Sequence, residues 1–499
     1  RNGLLQGKYE GMGARAFLGI PYAAPPIGDL RWRPPSPVAN WAGVLDATSY
    51  RNVCPQLETL DRFSSFSRKI SQERSLLSSE LQDEDCLYLN VFTPKEIVQN
   101  RPVMFWIHGG AYEVGSGSDA VFNGTYTAET TGNIVVTINY RLSVFGFLAH
   151  RYFKDENPSY PSTGNYGLLD QRLAMEWVRD NIESFGGDPN NVTIFGESAG
   201  GWSVMYHMVL PRSYNLYHKA IVESGGLQTI SLERGEKMAD AIQSTLLCDD
   251  TDPKSVVACM RSISWELVML ALVGTEMFTL TPVIDGYEIV KHPFDSWRLG
   301  EFNNVPLLAG NVLNEGTVFL SFYSTLSEKE YVSWVYKKFQ NDTVSEAIIK
   351  EYPCSLYNPS DCFYAQAEVL GDYLLACPTK YVTDVVSKVQ PDTYAYVFMH
   401  QPEYTSILPK LGVFHSSELA FVFNTLDTLV YTTTDEHSLA ESMNAFWGQF
   451  AKSSSPNKDN QISWPKYVDA SGTSRIGLQV KQNTNITNWK KRECAFWET

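Results

Sequence analysis

No stretch of this 499-residue chain is apolar for long enough to cross a bilayer. None of its eight cysteines forms Cys-x-x-Cys, and none has histidines at zinc-ligand spacing, so no metal is expected. Pro/Gly/Ser-rich spacers, charge blocks and internal repeats are also lacking. Positive charge is scarce: 40 Lys and Arg stand against 56 Asp and Glu, a net charge of −16. That balance argues against nucleic acid or an anionic membrane as partner. It would favour cationic ligands, but acidity alone more often accompanies plain solubility. The chain starts at Arg1 with neither Met nor a leader. The expectation is a mature secreted protein whose leader has been removed.

Length alone would suggest three domains. Large α/β sheets with insertions break that rule, and no linker interrupts the chain. The hydrophobic fraction of 43% suits a large buried core. An even, widely spread set of cysteines predicts four disulfides in an oxidising compartment. The sequons at Asn123, Asn191, Asn341 and Asn485 agree with that setting, while Asn358 is excluded by Pro359. Asn191 stays among the four candidates, although its place at the start of an apolar strand sets burial against glycan.

The most informative residues are Gly196-Glu197-Ser198-Ala199-Gly200-Gly201. Asn191 to Phe195 predicts a short buried strand, and a helix is expected from about Trp202. A strand that turns sharply into a helix at Gly-x-Ser-x-Gly holds its serine strained and exposed. Gly196 and Gly200 are needed because side chains there would clash across the turn. The serine then lies at a helix N-terminus, where N–H groups can receive developing negative charge. Buried strands are predicted at 102–108 and 134–140, an alternating strand at 86–92, and a helix at 168–182. Further strands are predicted at 220–224, 305–310 and 393–399, with helical segments between most of them. Such alternation predicts an α/β fold, with a mostly parallel sheet covered on both faces.

A serine at neutral pH needs a base, and the base needs an orienting acid. His108 belongs to a glycine-rich loop, and His400 ends a strand as a core candidate. His207 and His437 fall in predicted helices, and His150, His218 and His292 lack an informative loop. His415 lies in a loop after the last long strand and fits the chain order Ser, acid, His. Glu315, in a loop after the strand at 305–310, is the candidate acid, with Asp285 as the alternative. Trp106-Ile107-His108-Gly109-Gly110-Ala111 follows a strand and supplies flexible backbone. The N–H groups of Gly110, Ala111 and Ala199 are candidates for an oxyanion hole.

These motifs resemble the type-B carboxylesterase family of carboxylesterases, cholinesterases and large fungal lipases. The resemblance extends through Phe17-Leu18-Gly19-Ile20-Pro21, Glu84-Asp85-Cys86-Leu87, Asn139-Tyr140-Arg141-Leu142, Phe185-Gly186-Gly187-Asp188 and Cys494-Ala495-Phe496-Trp497, and so covers essentially the whole chain. It implies the α/β-hydrolase fold, one domain over 1–499, and a triad of Ser198, Glu315 and His415. It implies oxyanion donors at Gly110, Ala111 and Ala199, a supporting acid at Glu197, and a serine, Ser224, behind the triad acid. It also implies the pairs Cys54–Cys86, Cys248–Cys259 and Cys377–Cys494, which leaves Cys354 with Cys362.

Two departures bear on substrate. Ala111 stands where the family usually has a third glycine, and its methyl reshapes the pocket. No Trp lies between Cys54 and Cys86, where cholinesterases carry their choline-binding indole; Leu76 and Leu77 are near that place. A cation needs an aromatic face, so this counts against a true cholinesterase. The sequences around His415 and Glu315 lean toward the fungal branch. Leu57, Leu60, Phe63, Phe66, Ile70 and Leu77 recur near helical spacing within the disulfide-closed loop 54–86. A helix packed permanently on the body is the default expectation, and a mobile lid the alternative. Trp202, Met205, Phe278 and Phe319 are candidates for pocket or core.

The expectation is a secreted, glycosylated serine esterase that acts through an acyl-enzyme on a small ester, with lipid as a possible substrate. No cofactor is expected. A lipase or sterol esterase with an opening lid is the alternative. A cholinesterase-like enzyme, or a binding protein that kept the fold without the activity, is more remote.

Overall fold

Residues Arg101–Ile107 show why the centre of the molecule is a sheet covered on both sides. Val103, Phe105 and Ile107 join one apolar cluster, and Met104 and Trp106 join another. Successive strand side chains point to opposite faces, so a strand apolar at every position needs cover on both. The computed structural model describes residues 1–57, 81–273, 279–320, 325–405, 408, 410–429, 431–458, 464–469 and 472–498.

Among the described residues, twelve strands form the main sheet: β1 (Lys8–Tyr9), β2 (Arg15–Pro21), β3 (Tyr88–Thr93), β4 (Arg101–Ile107), β5 (Ile134–Ile138), β6 (Gly187–Glu197), β7 (Lys219–Glu223), β8 (Leu307–Val312), β9 (Thr393–Phe398), β10 (Val468–Asp469), β11 (Gly472–Leu478) and β12 (Thr484–Thr487). Their spatial order is β10-β11-β9-β8-β7-β6-β4-β5-β3-β2-β1, with β12 beside β11. Pairing is parallel from β5 through β11 and antiparallel at both ends. The sheet is therefore mixed, with the expected parallel core.

Helices α1 (Tyr166–Asn181) and α2 (Ala199–Val209) cover one face, contributing Ala174, Met175, Val178, Val204 and Met205 to the first cluster. Helix α3 (Thr434–Ser453) covers the other through Met443, Phe446, Trp447 and Phe450. The α1 residue Asp170 is fully buried. It takes two bonds from the Arg141 guanidinium, Nε to Oδ2 at 2.8 Å and Nη2 to Oδ1 at 2.7 Å, and one from the Arg141 N–H.

Two local expectations need correction. The stretch at 86–92 does not alternate: in β3 only Tyr88 is partly exposed, because neighbouring strands and covering helices enclose both faces. Helix α2 begins at Ala199, three residues before Trp202. Gly200 and Gly201 are weak helix formers and hide that start in the sequence, but the turn geometry requires it.

Four disulfides join Cys54 to Cys86, Cys248 to Cys259, Cys354 to Cys362 and Cys377 to Cys494. Three of these are the pairs that the resemblance implied, and Cys354–Cys362 is the pair left over. Among the described residues no helix is long and apolar enough to cross a membrane. Leu60, Phe63, Phe66, Ile70, Leu76, Leu77 and Phe278 lie outside the described residues.

Candidate active site

Strand β6 ends at Glu197 and α2 starts at Ala199, so a single residue makes the turn. That residue, Ser198, has φ 55° and ψ −126°. For an L-residue this backbone costs about 1–3 kcal/mol and persists only when its surroundings enforce it. Here the Ser198 N–H donates to the Glu223 carbonyl at 3.0 Å, and its own carbonyl accepts from Trp202 N at 2.8 Å. The flanking glycines make room. A Cβ on Gly200 would lie 1.9 Å from the Ile107 carbonyl oxygen, and one on Gly196 would lie 2.6 Å from the Gly200 carbonyl carbon. Ser198 itself is half-buried, whereas its neighbours on both sides are buried.

Glu315 and His415 are 100 residues apart in sequence, yet His415 Nδ1 lies 2.7 Å from Glu315 Oε2. Their loops are laced together. Asn314 N donates to the Val413 carbonyl at 2.9 Å, and Val413 N donates to Asn314 Oδ1 at 3.0 Å. The other carboxylate oxygen of Glu315 accepts from Ser224 Oγ at 2.6 Å, Asn311 Nδ2 at 2.9 Å and Val312 N at 3.1 Å. Both Glu315 oxygens are thus held, one on the imidazole and one on three donors. Ser224 falls where the resemblance implied; Asn311 was not foreseen. Asp285, the alternative acid, is a turn residue. Its Oδ1 accepts the N–H groups of Tyr287, Glu288 and Ile289.

The far side of the imidazole carries a second acid. His415 Nε2 lies 3.2 Å from Glu197 Oε1, and Ser416 Oγ donates to the same oxygen at 2.7 Å. Burial opposes a charged imidazole, but Glu197, followed by Glu315, outweighs it and raises the His415 pKa. Burial also pushes the Glu197 pKa up, against the pull of His415 and Ser416.

Two more buried carboxyls, unnoticed in the sequence, lie behind this group. Burial raises Glu223 to about 8, although Trp447 Nε1 donates to its Oε1 at 2.7 Å. Burial, then repulsion from Glu197, Glu223 and Glu315, raises Glu418 well above the carboxylate range. Their places, directly before Ser224 and three residues after His415, were the only hints in the sequence.

The glycine-rich loop abuts the turn. A Cβ on Gly109 would sit 3.0 Å from Ser198 Cβ. Gly110, Ala111 and Tyr112 all have positive φ, at 106°, 59° and 62°. Ala199 is the first residue of α2, so its N–H has no carbonyl one turn earlier to bond. His108 is no rival base. Burial lowers its pKa to about 4, its ring stacks on Tyr140 with centroids 4.4 Å apart, and its Nδ1 lies 2.8 Å from the Gly109 carbonyl. His400 is satisfied by Glu436 at 2.9 Å. Trp202 and Met205 are buried in the first cluster. Phe319 is half-buried, its ring 5.5 Å from that of His415.

The model of the carboxylesterase family matches residues 1–497. The chain belongs to the carboxylesterase family. The chain is similar to an acetylcholinesterase of Bungarus fasciatus, with 32% identity over 97% of this chain and 82% of that protein. It is also similar to the solved structure of a thermophilic PNB esterase. There the TM-score is 0.85 at 32% identity, over 99% of this chain and 98% of the other. The fold is that of the α/β hydrolases, and the protein is a carboxylic ester hydrolase.

Proposed function

We propose that this carboxylesterase cleaves small carboxylic esters through an acyl-enzyme on Ser198. The observation that carries the reading is the His415 Nδ1–Glu315 Oε2 contact of 2.7 Å beside the strained turn at Ser198. His415 Nε2 takes the hydroxyl proton as Ser198 Oγ attacks the ester carbonyl. The carbonyl electrons move to oxygen, and the N–H groups of Gly110, Ala111 and Ala199 receive that oxyanion. His415 then gives its proton to the departing alcohol. Water repeats the sequence on the acyl-enzyme and restores Ser198. Glu315 holds the imidazole tautomer and stabilises its charged form; Ser224 and Asn311 hold Glu315.

Choline esters are disfavoured as substrates, despite the likeness to an acetylcholinesterase, because no Trp lies between Cys54 and Cys86. The motif leaning toward the fungal branch is compatible with esterase or lipase substrates. We further propose that residues 1–499 act as one domain, which the family match over 1–497 supports. An extracellular setting is supported by four disulfides and by exposed sequons. Asn341 and Asn485 are exposed and are the proposed glycan carriers. Asn341 Oδ1 caps a helix through Val344 N at 3.1 Å, which leaves Nδ2 for the sugar. Asn123 is half-buried and bonds Glu10, and Asn191 is held by the Lys219 ammonium.

Hydrolysis of p-nitrophenyl esters from acetate to palmitate, with Ser198→Ala as blank, tests the reading. Turnover that disappears in Ser198→Ala supports it, with a short-chain maximum for a compact pocket. Undiminished turnover in Ser198→Ala overturns it. A long-chain maximum replaces the small-ester substrate with lipid.

A further inference from the structure

Gln56 lies two residues beyond Cys54, at the foot of the disulfide-closed segment, and is 7% exposed. Its carboxamide is used at both ends. Oε1 accepts from Gly115 N at 2.9 Å, and Nε2 donates to the Gly115 carbonyl at 3.2 Å and the Cys54 carbonyl at 3.1 Å. One side chain therefore grips both backbone groups of Gly115, as a neighbouring strand would. Its own N–H donates to Gln82 Oε1 at 2.9 Å, on the returning arm of the segment.

Gly115 closes the loop that carries Gly110 and Ala111. It has φ +110°, and a Cβ there would lie 2.6 Å from His108 Nδ1 and 2.8 Å from the Gly109 carbonyl oxygen. The Gly110 carbonyl accepts from Glu113 N at 2.9 Å and Val114 N at 3.0 Å, so the loop is a tight unit. A second tie runs beside the first. Gly117 N donates to Asn139 Oδ1 at 2.8 Å, and Asn139 Nδ2 donates to the Asn52 carbonyl at 3.1 Å.

Ala111 and Tyr112, which follow Gly110 at positive φ, are non-glycine residues in a costly conformation that surrounding structure has to hold. Gly115 and Gly117 offer no side chains for that purpose. The grip comes from outside the loop: Ser143 N donates to the Tyr112 carbonyl at 2.6 Å, and Gln56, on the segment anchored by Cys54–Cys86, holds Gly115. We infer that Gln56 is a positioning residue for the oxyanion hole, bracing the Gly110–Ala111 backbone against the base of the Cys54–Cys86 loop. The inference rests on the proposed roles of Ser198, Gly110 and Ala111.

Gln56→Met keeps the volume and removes the grip on Gly115. The probe is an aryl trifluoromethyl ketone. Ser198 Oγ adds to its carbonyl carbon, the hydroxyl proton passes to His415, and the new oxyanion occupies the hole. The expected result is a fall in kcat of about 10- to 100-fold, with KM changed less than about threefold and ketone affinity falling in step with kcat. A purely structural role predicts a lower melting temperature with both catalytic readouts intact, and that result overturns the inference. So does a lower kcat with unchanged ketone affinity. If Gln56→Met does not fold, Gln56→Asn keeps the carboxamide but shortens its reach to the Gly115 backbone. It should show the same paired loss, reduced in size; an unchanged ketone affinity there overturns the inference equally. If wild type fails to bind the ketone while Ser198→Ala retains turnover, the proposed function has failed rather than the brace.

Discussion

Glu197 Oε1 lies 3.2 Å from His415 Nε2, the ring nitrogen that faces away from Glu315. The imidazole thus has a carboxyl at each nitrogen, and both favour its protonated form over the neutral base that catalysis requires. Removing one should lower the His415 pKa and leave the base free at lower pH. Glu197→Gln is expected to move the acidic limb of the kcat/KM profile to lower pH. A profile that stays in place or moves upward would show that Glu197 does not set this pKa.

Glu315→Gln tests the other contact. The amide is the same size, but it offers the imidazole a different hydrogen-bonding partner and no negative charge. A fall in kcat of about 10³–10⁴-fold with a folded protein is expected. Ser224→Ala loosens one of three bonds to the distal oxygen of Glu315 and should cost about tenfold or less. Steady-state kinetics on p-nitrophenyl acetate checks both. Equal losses would mean that Ser224 does more than hold the acid.

Glu223 gives a stability prediction whose sign is set by burial. Its folded pKa is raised to about 8, so the folded state favours the protonated carboxyl. Its stabilising contribution is full below the unfolded carboxyl pKa and is lost as pH rises through about 8. Glu223→Gln removes the ionisable group and retains an acceptor for Trp447. The variant should gain over wild type as pH rises from 6 to 9, by on the order of 1–4 kcal/mol at the alkaline end. Melting curves across that range decide it, and a constant difference would count against a buried neutral carboxyl.

The Arg141–Asp170 pair is buried on both sides and joined by three bonds. Asp170→Ala would strand a buried guanidinium and should cost ~3–5 kcal/mol in denaturant unfolding. Arg141→Met with Asp170→Leu should recover much of that loss, because no charge is left uncompensated. If the double variant is as unstable as the single, the pair does more than neutralise itself.

The turn at Ser198 was legible because its cause is local. A strand, a one-residue turn and a helix can follow one another only if glycine stands where a Cβ would strike the Ile107 carbonyl, and that requirement is written in six consecutive residues. The central strands were legible for a related reason: an apolar residue at every position of 103–107 has to be buried on both faces. The choice between Glu315 and Asp285 was not local. Both follow strand-like segments, and only the lacing of Asn314 to Val413 brings one of them to His415. Glu223, Glu418 and Gln56 left still less trace. Their importance comes from burial beside groups that are distant in sequence, and a single polar letter does not record what will enclose it. The sequence by itself determined the strained turn, the sheet and the residues offered to the reaction, through backbone sterics and hydrophobic periodicity. The tertiary structure alone decided which carboxyl meets which imidazole nitrogen and which outside side chain holds the glycine-rich loop. Those contacts depend on distances between segments tens to hundreds of residues apart, which no local pattern encodes.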